Sequence, residues 1–242
     1  MDAQPPVPTQ PEQNPLLMVD EVPWGAREAW LGVAFLAVWI GISAGLSFLL
    51  TDNQPEAITG LSLILLELLL FIPVWWFVFH RFRAGWKELG FRPFTWKDLG
   101  ISCGLLVGIY AFMFIYGILL TAFHIEPDIN WIEIFQSQSS PGWLIVTAIV
   151  VAPFLEEILF RGFIFTGFRK KYGWVNAMLI SAALFAVNHF QIVGLITYFL
   201  LGCILAYLRH ASKSLWPSIF VHMVINGVST GLVYLISNFI PM

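Results

Sequence analysis

Charge is scarce in this chain of 242 residues. Only 11% of its residues are Asp, Glu, Lys or Arg, whereas 58% are hydrophobic and the mean hydropathy is +0.79. A soluble globular domain carries roughly 25% charged residues. The shortage of charge excludes an ordinary soluble protein and indicates a chain that lies mostly within a membrane.

Cysteine and signal-peptide features are also in short supply. Cys103 and Cys203 both fall within apolar runs, so we expect buried, free thiols and no disulfide. The start of the chain, MDAQPPVPTQPEQNP, is rich in proline and glutamine and offers no apolar face, which predicts a flexible tail over residues 1–28. It lacks a basic n-region and a small-residue cleavage site, so the first apolar run is expected to remain as a membrane anchor.

Apolar runs long enough to cross a bilayer, which takes about 17–25 residues, are what the sequence has in abundance. They predict an all-α, polytopic membrane helical bundle of about seven transmembrane helices. Helices 1–3 and an outer loop would occupy residues 29–142, and a helical core residues 143–242. The seven predicted spans are Ala29–Leu50, Ile58–Phe79, Leu99–Phe123, Trp143–Phe168, Trp174–Phe190, Val193–Leu208 and Leu215–Ile240.

The basic residues alternate between the two sides of the predicted bundle. All 12 Lys and Arg lie before the first helix, around the 2–3, 4–5 and 6–7 connections, or just inside them as Arg161 does. Because basic loops stay in the cytoplasm, we expect a bacterial inner-membrane protein with its N-terminus in the cytoplasm and its C-terminus outside. The connection His124–Gly142 is then the one long outer loop, which either lies along the membrane surface or caps a cavity.

Several polar side chains interrupt the apolar runs of the last hundred residues. A charge in hydrocarbon costs at least ~2.5–3.5 kcal/mol, so a group of them indicates a functional site. The polar residues are Glu156, Glu157 and Arg161 in predicted helix 4, His189 in helix 5, and His222 and Asn226 in helix 7.

Helical geometry suggests how these side chains pair. Glu157 and Arg161 are four residues apart and can form an ion pair on one face, whereas Glu156 is rotated by ~100° and needs a partner from another helix. An antiparallel hairpin of helices 4 and 5 brings His189 level with Glu156, each ~25 Å from the turn. His222 falls roughly two turns short, a gap that closes only if the hairpin projects into the cytoplasm or the helices tilt.

Two neighbouring features bear on this cluster. Pro153 removes a backbone hydrogen bond and is expected to kink helix 4 just above Glu156. Glu67, in predicted helix 2, is an exception among the membrane carboxylates because the sequence shows no partner for it.

The chemistry of the cluster fits hydrolysis by an activated water. A carboxylate and an imidazole can deprotonate water, and a His and an Asn one turn apart can stabilise the oxyanion. Alternatively, Glu156, His189 and His222 can bind a divalent metal such as zinc with room for water, and these residues alone leave both mechanisms open. The sequence contains no HExxH, no GxSG with a serine nucleophile and no pair of membrane aspartates.

The segments EEILFR, FAVNH and HMVIN resemble the motifs EExxxR, FxxxH and HxxxN of the CAAX protease and bacteriocin-processing (CPBP, or Abi) family of intramembrane endopeptidases. The resemblance covers roughly Trp143 to Gly231. It implies a conical cavity among helices 4, 5 and 7 that opens toward the cytoplasm or sideways to lipid. It also implies a CPBP-like catalytic core acting on a peptide or protein substrate at the membrane, including C-terminally processed or prenylated ones, with no nucleic acid partner.

The resemblance further implies a role for each polar residue. Glu156 would be the catalytic carboxylate and His189 its partner in activating water. Glu157 and Arg161 would hold the geometry of the site. His222 and Asn226 would stabilise the oxyanion.

Two other functions are compatible with the same residues. One is a non-catalytic membrane protein that binds a peptide or bacteriocin and confers immunity. The other is a proton-coupled transporter, which would show paired, broken helices in two matching halves, and the sequence has no such symmetry.

Overall fold

The computed structural model describes residues 22–49, 64–137 and 141–239. These residues contain helices and no strand, which confirms the all-α prediction. Six helical segments are apolar and long enough to cross a membrane, so the chain is an integral membrane protein. Most of the predicted tail, residues 1–21, and the start of the second predicted span, residues 58–63, lie outside the described residues.

Where the predicted ends fall within the described residues, the helix ends lie close to them, and the largest such difference is four residues, at Ser212 instead of Leu208. Cys103 and Cys203 are free thiols, but neither is fully buried as expected, because Cys103 is exposed on the surface of its helix and Cys203 is half-buried. In chain order the helices of the described residues are α1 (Ala26–Leu49), α2 (Ile64–Arg81), α3 (Trp86–Leu89), α4 (Trp96–Ala122), α5 (Trp131–Gln136), α6 (Gly142–Asn188), α7 (Leu195–Ser212) and α8 (Trp216–Phe239).

Helix α6 is a hairpin and not a single span. Its 47 residues would extend ~70 Å as one helix, more than twice the ~30 Å of a bilayer core. Gly173 breaks it with φ +75° and ψ 166°. The two arms then pack side by side, with Ser181 Oγ donating to the carbonyl of Phe160 at 3.1 Å. The two predicted spans on either side of Gly173 are therefore both present, and the six segments provide seven crossings.

The residues just before α1 are packed against α6, in contrast to the flexible tail expected up to residue 28. The Trp24 side chain is fully buried, and its indole Nε1 donates to the carbonyl of Phe163 at 3.0 Å. Gly167 permits this contact, because a Cβ there would lie 2.9 Å from the carbonyl oxygen of Gly25. These contacts fix the N-terminal segment to the α6 hairpin.

The start of α8 is anchored inside the bundle. Leu215 N donates to the carbonyl of Gly90 at 2.8 Å, and a Cβ on Gly162 would lie 3.3 Å from Leu215 Cδ1. From this common level, Glu156 and His222 are about 9 Å and about 10.5 Å along their helices at 1.5 Å per residue. The expected gap of two turns is absent because the α6 hairpin extends beyond the start of α8.

Candidate active site

The first arm of α6 carries three of the predicted site residues on an irregular helix. Residues 147–151 and 158–164 have widened turns of the π-helical type, which are frequent at functional sites. The backbone torsions at Val151 and Ala152, just before Pro153, remain helical. The irregularity near Pro153 therefore takes the form of a wide turn, which relieves the clash of a proline ring with the preceding turn.

Glu157 and Arg161 form the predicted ion pair at the centre of the protein. Both side chains are fully buried, and Arg161 Nη1 lies 2.8 Å from Glu157 Oε1. The guanidinium carbon of Arg161 lies 4.2 Å from the centre of the Phe185 ring, and Nη2 donates to the carbonyl of Gly202 at 3.4 Å. The pair thus ties the two arms of α6 to α7.

His222 bridges the two adjacent glutamates. Its Nδ1 lies 3.1 Å from Glu157 Oε1, and its Nε2 lies 3.7 Å from Glu156 Oε2. The sequence predicted His189 as the partner of Glu156, and the structure instead places His222 beside it. The anchored start of α8 is the physical reason, since it raises His222 to the level of Glu156.

His189 lies just past the last residue of α6 and is held by its surroundings. Its Nδ1 donates to the carbonyl of Phe185 at 2.8 Å, and its ring stacks on Tyr198 with 3.9 Å between ring centres. A neutral imidazole that donates from Nδ1 keeps a lone pair on Nε2. His189 therefore offers an acceptor nitrogen in a fixed ring orientation.

Asn226 follows His222 by one helical turn, and its side chain is partly engaged. Its Nδ2 donates to the carbonyl of Ala148 at 2.9 Å, which connects α8 to the first arm of α6. An amide nitrogen has two hydrogens, so one donor of Asn226 stays available.

A cavity of about 360 Å³ connects these residues. Glu156, His189 and Asn226 line it, together with Trp131 and Phe135 of the short helix α5. The connection between α4 and α6 thus does cap a cavity, one of the two arrangements predicted for it. The cavity extends toward α5 and away from the basic turn of the α6 hairpin.

A second cavity of about 280 Å³ adjoins the first. Apolar side chains of α4, including Ile109, Met113 and Leu120, form part of its wall, and His222 lines it as well. Asn226 and Tyr198 line both cavities. The site therefore has a polar part and an apolar part that meet at His222 and Asn226.

Glu67 is a residue of this cavity that sequence reasoning did not assign to the site. Its side chain lines the cavity wall together with Glu156 and His189. No pattern in the sequence links it to them, because α2 is separated from α6 by three other helices.

The alternative set of metal ligands is not assembled in the described parts of the chain. No three His, Cys, Asp or Glu side chains there are placed to hold one metal ion. In the proposed set of Glu156, His189 and His222, the Nδ1 atoms of both histidines are hydrogen-bonded within the protein, which leaves their Nε2 atoms as the possible ligands. The three side chains are not gathered around one point, and no catalytic step below uses a metal.

Residues 138–228 match the family model described as type II CAAX prenyl endopeptidase, Rce1-like. This segment is therefore similar to the Rce1-like family. The match confirms the resemblance to CAAX proteases that the three motifs indicated. The segment contains all six predicted site residues and excludes Glu67.

Two curated relatives accompany this match. The chain is 37% identical over 89 residues to the candidate membrane peptidase YdiL of Bacillus subtilis (strain 168), which covers 37% of this chain and 36% of YdiL. An uncharacterised 24.3 kDa protein of Escherichia coli is 27% identical over 214 residues, 84% of this chain and 94% of that protein. The chain thus matches only about a third of the length of YdiL. No solved structure matches the chain.

Proposed function

We propose that the protein is an intramembrane endopeptidase that hydrolyses a peptide bond with a water molecule activated by Glu156 and His189. The observation that carries this proposal is the bridge of His222 between Glu156 and Glu157 at the wall of a cavity that His189 also lines. Carboxylate and imidazole groups around one cavity are suited to general acid–base catalysis.

The charges of the buried cluster balance when it holds a single mobile proton. Glu156 and Glu157 carry two negative charges, and Arg161 carries one positive charge. One additional proton, on either Glu156 or Nε2 of His222, makes the cluster neutral, as burial requires. With the proton on His222, Glu156 is a carboxylate that can accept a proton from water, and Nε2 is a donor.

The proposed reaction uses these two states in sequence. Glu156 accepts a proton from the water while the water oxygen bonds to the peptide carbonyl carbon. The resulting oxyanion accepts hydrogen bonds from His222 Nε2 and from the free amide hydrogen of Asn226. A single donor of this kind contributes about 10²–10³-fold to the rate.

The remaining residues position these groups. Glu157, fixed by Arg161, holds Nδ1 of His222 and so directs Nε2 toward Glu156. His189, fixed through Nδ1, presents Nε2 as an acceptor that orients the water. We propose that the enzyme is of the glutamate type and works without a metal.

The substrate we propose is a peptide or protein embedded in, or attached to, the membrane. The adjoining apolar cavity suits a large apolar side chain or a lipid chain such as a prenyl group. Because the basic turns lie at the opposite end of the bundle, the α5 end would face away from the cytoplasm of a bacterial cell. The substrate then reaches the site from the lipid or from the outer face of the inner membrane.

The test is mass spectrometry of new protein termini in membranes from cells that carry the wild type, Glu156→Gln or Glu126→Gln at matched levels. Glu126 is exposed, lies outside both cavities and serves as the control carboxyl. We expect new termini with the wild type and with Glu126→Gln, and at least a 100-fold loss with Glu156→Gln, because it removes the general base.

The opposite result is equally clear. If the termini with Glu156→Gln equal those with the wild type, Glu156 is not the catalytic carboxylate. Cells that lack the protein give the background set of termini. If neither the wild type nor any variant adds termini to this set, the non-catalytic peptide-binding function replaces the proposed one.

A further inference from the structure

Glu67 lies on the cavity wall at the start of a local irregularity of α2. Leu69 N donates to the carbonyl of Leu66 at 3.1 Å, and Leu70 N donates to the carbonyl of Glu67 at 3.0 Å. These bonds span three residues, and not the four of a regular α-helix. Pro73 follows within one turn and has no N–H to restore the regular pattern. The tightened turn changes the helical phase at the point where Glu67 meets the cavity.

The carboxyl group of Glu67 has no partner among the described residues that would offset a negative charge. Its Oε2 atom is buried and forms no hydrogen bond with any described residue. The other titratable side chains that line the cavity are Glu156, His189 and Tyr198, and no Lys or Arg lines it. His222 lies next to Glu156, but no histidine lies within ion-pair distance of Glu67 in the described residues.

This difference in surroundings favours different protonation of the two carboxyl groups. A buried carboxylate oxygen without a hydrogen-bond donor is costly, and a second carboxylate across the same cavity adds repulsion. The neutral acid avoids both costs. Two carboxyls whose environments differ in this way can divide the roles of acid and base between them.

We infer that Glu67 is the general acid of the reaction, protonated in the resting protein, and that it donates its proton to the leaving amine. The inference rests on the proposed endopeptidase function and adds a residue outside the Rce1-like segment. Glu67 and Glu156 would face the scissile bond from α2 and α6, because both line the cavity in which the bond must lie.

The protons balance over one turnover. Water gives one proton to Glu156, and its oxygen forms the new bond to the carbonyl carbon. The carbon–nitrogen bond then breaks as Glu67 gives its proton to the nitrogen, which leaves as an amine. The proton on Glu156 passes across the cavity to Glu67, and the net change is one water added to one peptide bond.

The kinetic test compares two leaving groups on one acyl segment. The probes are a synthetic peptide that spans the cleavage site found from the new termini, and an aryl ester of the same acyl segment. An aryl oxide leaves without protonation, whereas an amine does not. We expect Glu67→Gln to lower the rate of amide cleavage at least 100-fold and to leave ester cleavage within a few-fold of wild type. Glu156→Gln should lose both activities.

Other outcomes overturn the inference and leave the proposed function standing. If the Glu67→Gln variant cleaves the amide at the wild-type rate, Glu67 is not the general acid. Equal losses of amide and ester cleavage, or a loss confined to KM for one type of substrate, assign Glu67 to structure or to substrate binding. If Glu156→Gln remains active, the proposed function fails whatever Glu67 does.

A second readout does not depend on a substrate. Infrared spectroscopy of the purified protein reports the carbonyl stretch of protonated carboxylic acids. We expect this band to weaken in Glu67→Gln and to persist in Glu156→Gln, and an unchanged band in Glu67→Gln overturns the inference. If Glu67→Gln does not fold, Glu67→Asp keeps an acid at this position and is expected to retain part of the amide activity.

Discussion

Helices α4 and α6 both cross the membrane, but they bury very different shares of their surface. Within an apolar stretch of 18 residues, 44% of the residues are buried inside the protein in α6, compared with 6% in α4. Helix α6 carries a fully buried ion pair at its centre, whereas the charged residues of α4, Lys97 and Asp98, lie in its first turn. Charged side chains are tolerated at membrane depth where protein surrounds them. Where lipid surrounds the helix, they are confined to its end.

The largest effect expected from this comparison concerns the buried ion pair. Arg161→Ala leaves Glu157 buried without its cation, so we expect the free energy of unfolding to fall by about 3–5 kcal/mol. Thermal unfolding in detergent and the yield of folded protein measure this loss. Lys97→Ala, at the exposed end of α4, is the matched control and should change stability by no more than about 0.5 kcal/mol.

A double variant separates charge from packing. Glu157→Gln combined with Arg161→Met removes both charges and should recover most of the stability lost in Arg161→Ala. It should remain inactive, because His222 loses the carboxylate that orients it. Wild-type stability of Arg161→Ala would show that the pair does not hold the fold together.

A smaller effect is expected from two glycines that differ in their surroundings. A Cβ on Gly202 in α7 would lie 2.9 Å from the Cα of Ala182, whereas a Cβ on Gly108 in α4 would meet nothing within 4 Å. We expect Gly202→Ala to destabilise the protein by about 1–3 kcal/mol through overpacking. Gly108→Ala should raise stability by up to about 1 kcal/mol, because alanine favours a helix more than glycine. Equal melting temperatures for the two variants would contradict the close packing of α7 on α6.

The smallest effect concerns the segment before α1. Trp24→Phe removes the indole donor to the carbonyl of Phe163, which also accepts a hydrogen bond from Thr166 Oγ1 at 3.1 Å. Because the carbonyl keeps this second partner, we expect a loss of only about 0.5–1.5 kcal/mol. Trp96 is 87% exposed, and Trp96→Phe should leave the unfolding temperature unchanged. A Trp24→Phe protein as stable as Trp96→Phe would mean that the N-terminal segment is not fixed to α6.

Contacts within one helix or one hairpin could be predicted from the sequence. Glu157 and Arg161 are related by a single helical turn, so their pairing depends on no other part of the fold. The turn at Gly173 was similarly evident from the short basic segment between two apolar runs. Local periodicity and charge are sufficient for such features.

Contacts between distant helices were harder to predict, because they depend on where each helix begins in space. The depth of His222 in the membrane was predicted from its distance to Lys213, the last basic residue before α8. In the structure α8 is already inside the bundle at Leu215, which packs against Gly162. Glu67 is followed by a tightened turn of α2, which shifts the helical phase that a regular period assumes. The apolar pattern fixes neither the depth nor the phase of these helices.

The bridge of His222 between the two glutamates also has a consequence for the synthesis and membrane insertion of the protein. During synthesis α6 emerges before α8, and so the first arm of α6 enters the bilayer while its histidine partner has not yet been made. Within that arm Glu157 and Arg161 neutralise each other, which lowers the free-energy cost of holding the arm in the membrane before α8 is made. Glu156 meets His222 only when α8 docks, so the proposed active site is not assembled until that helix is in place.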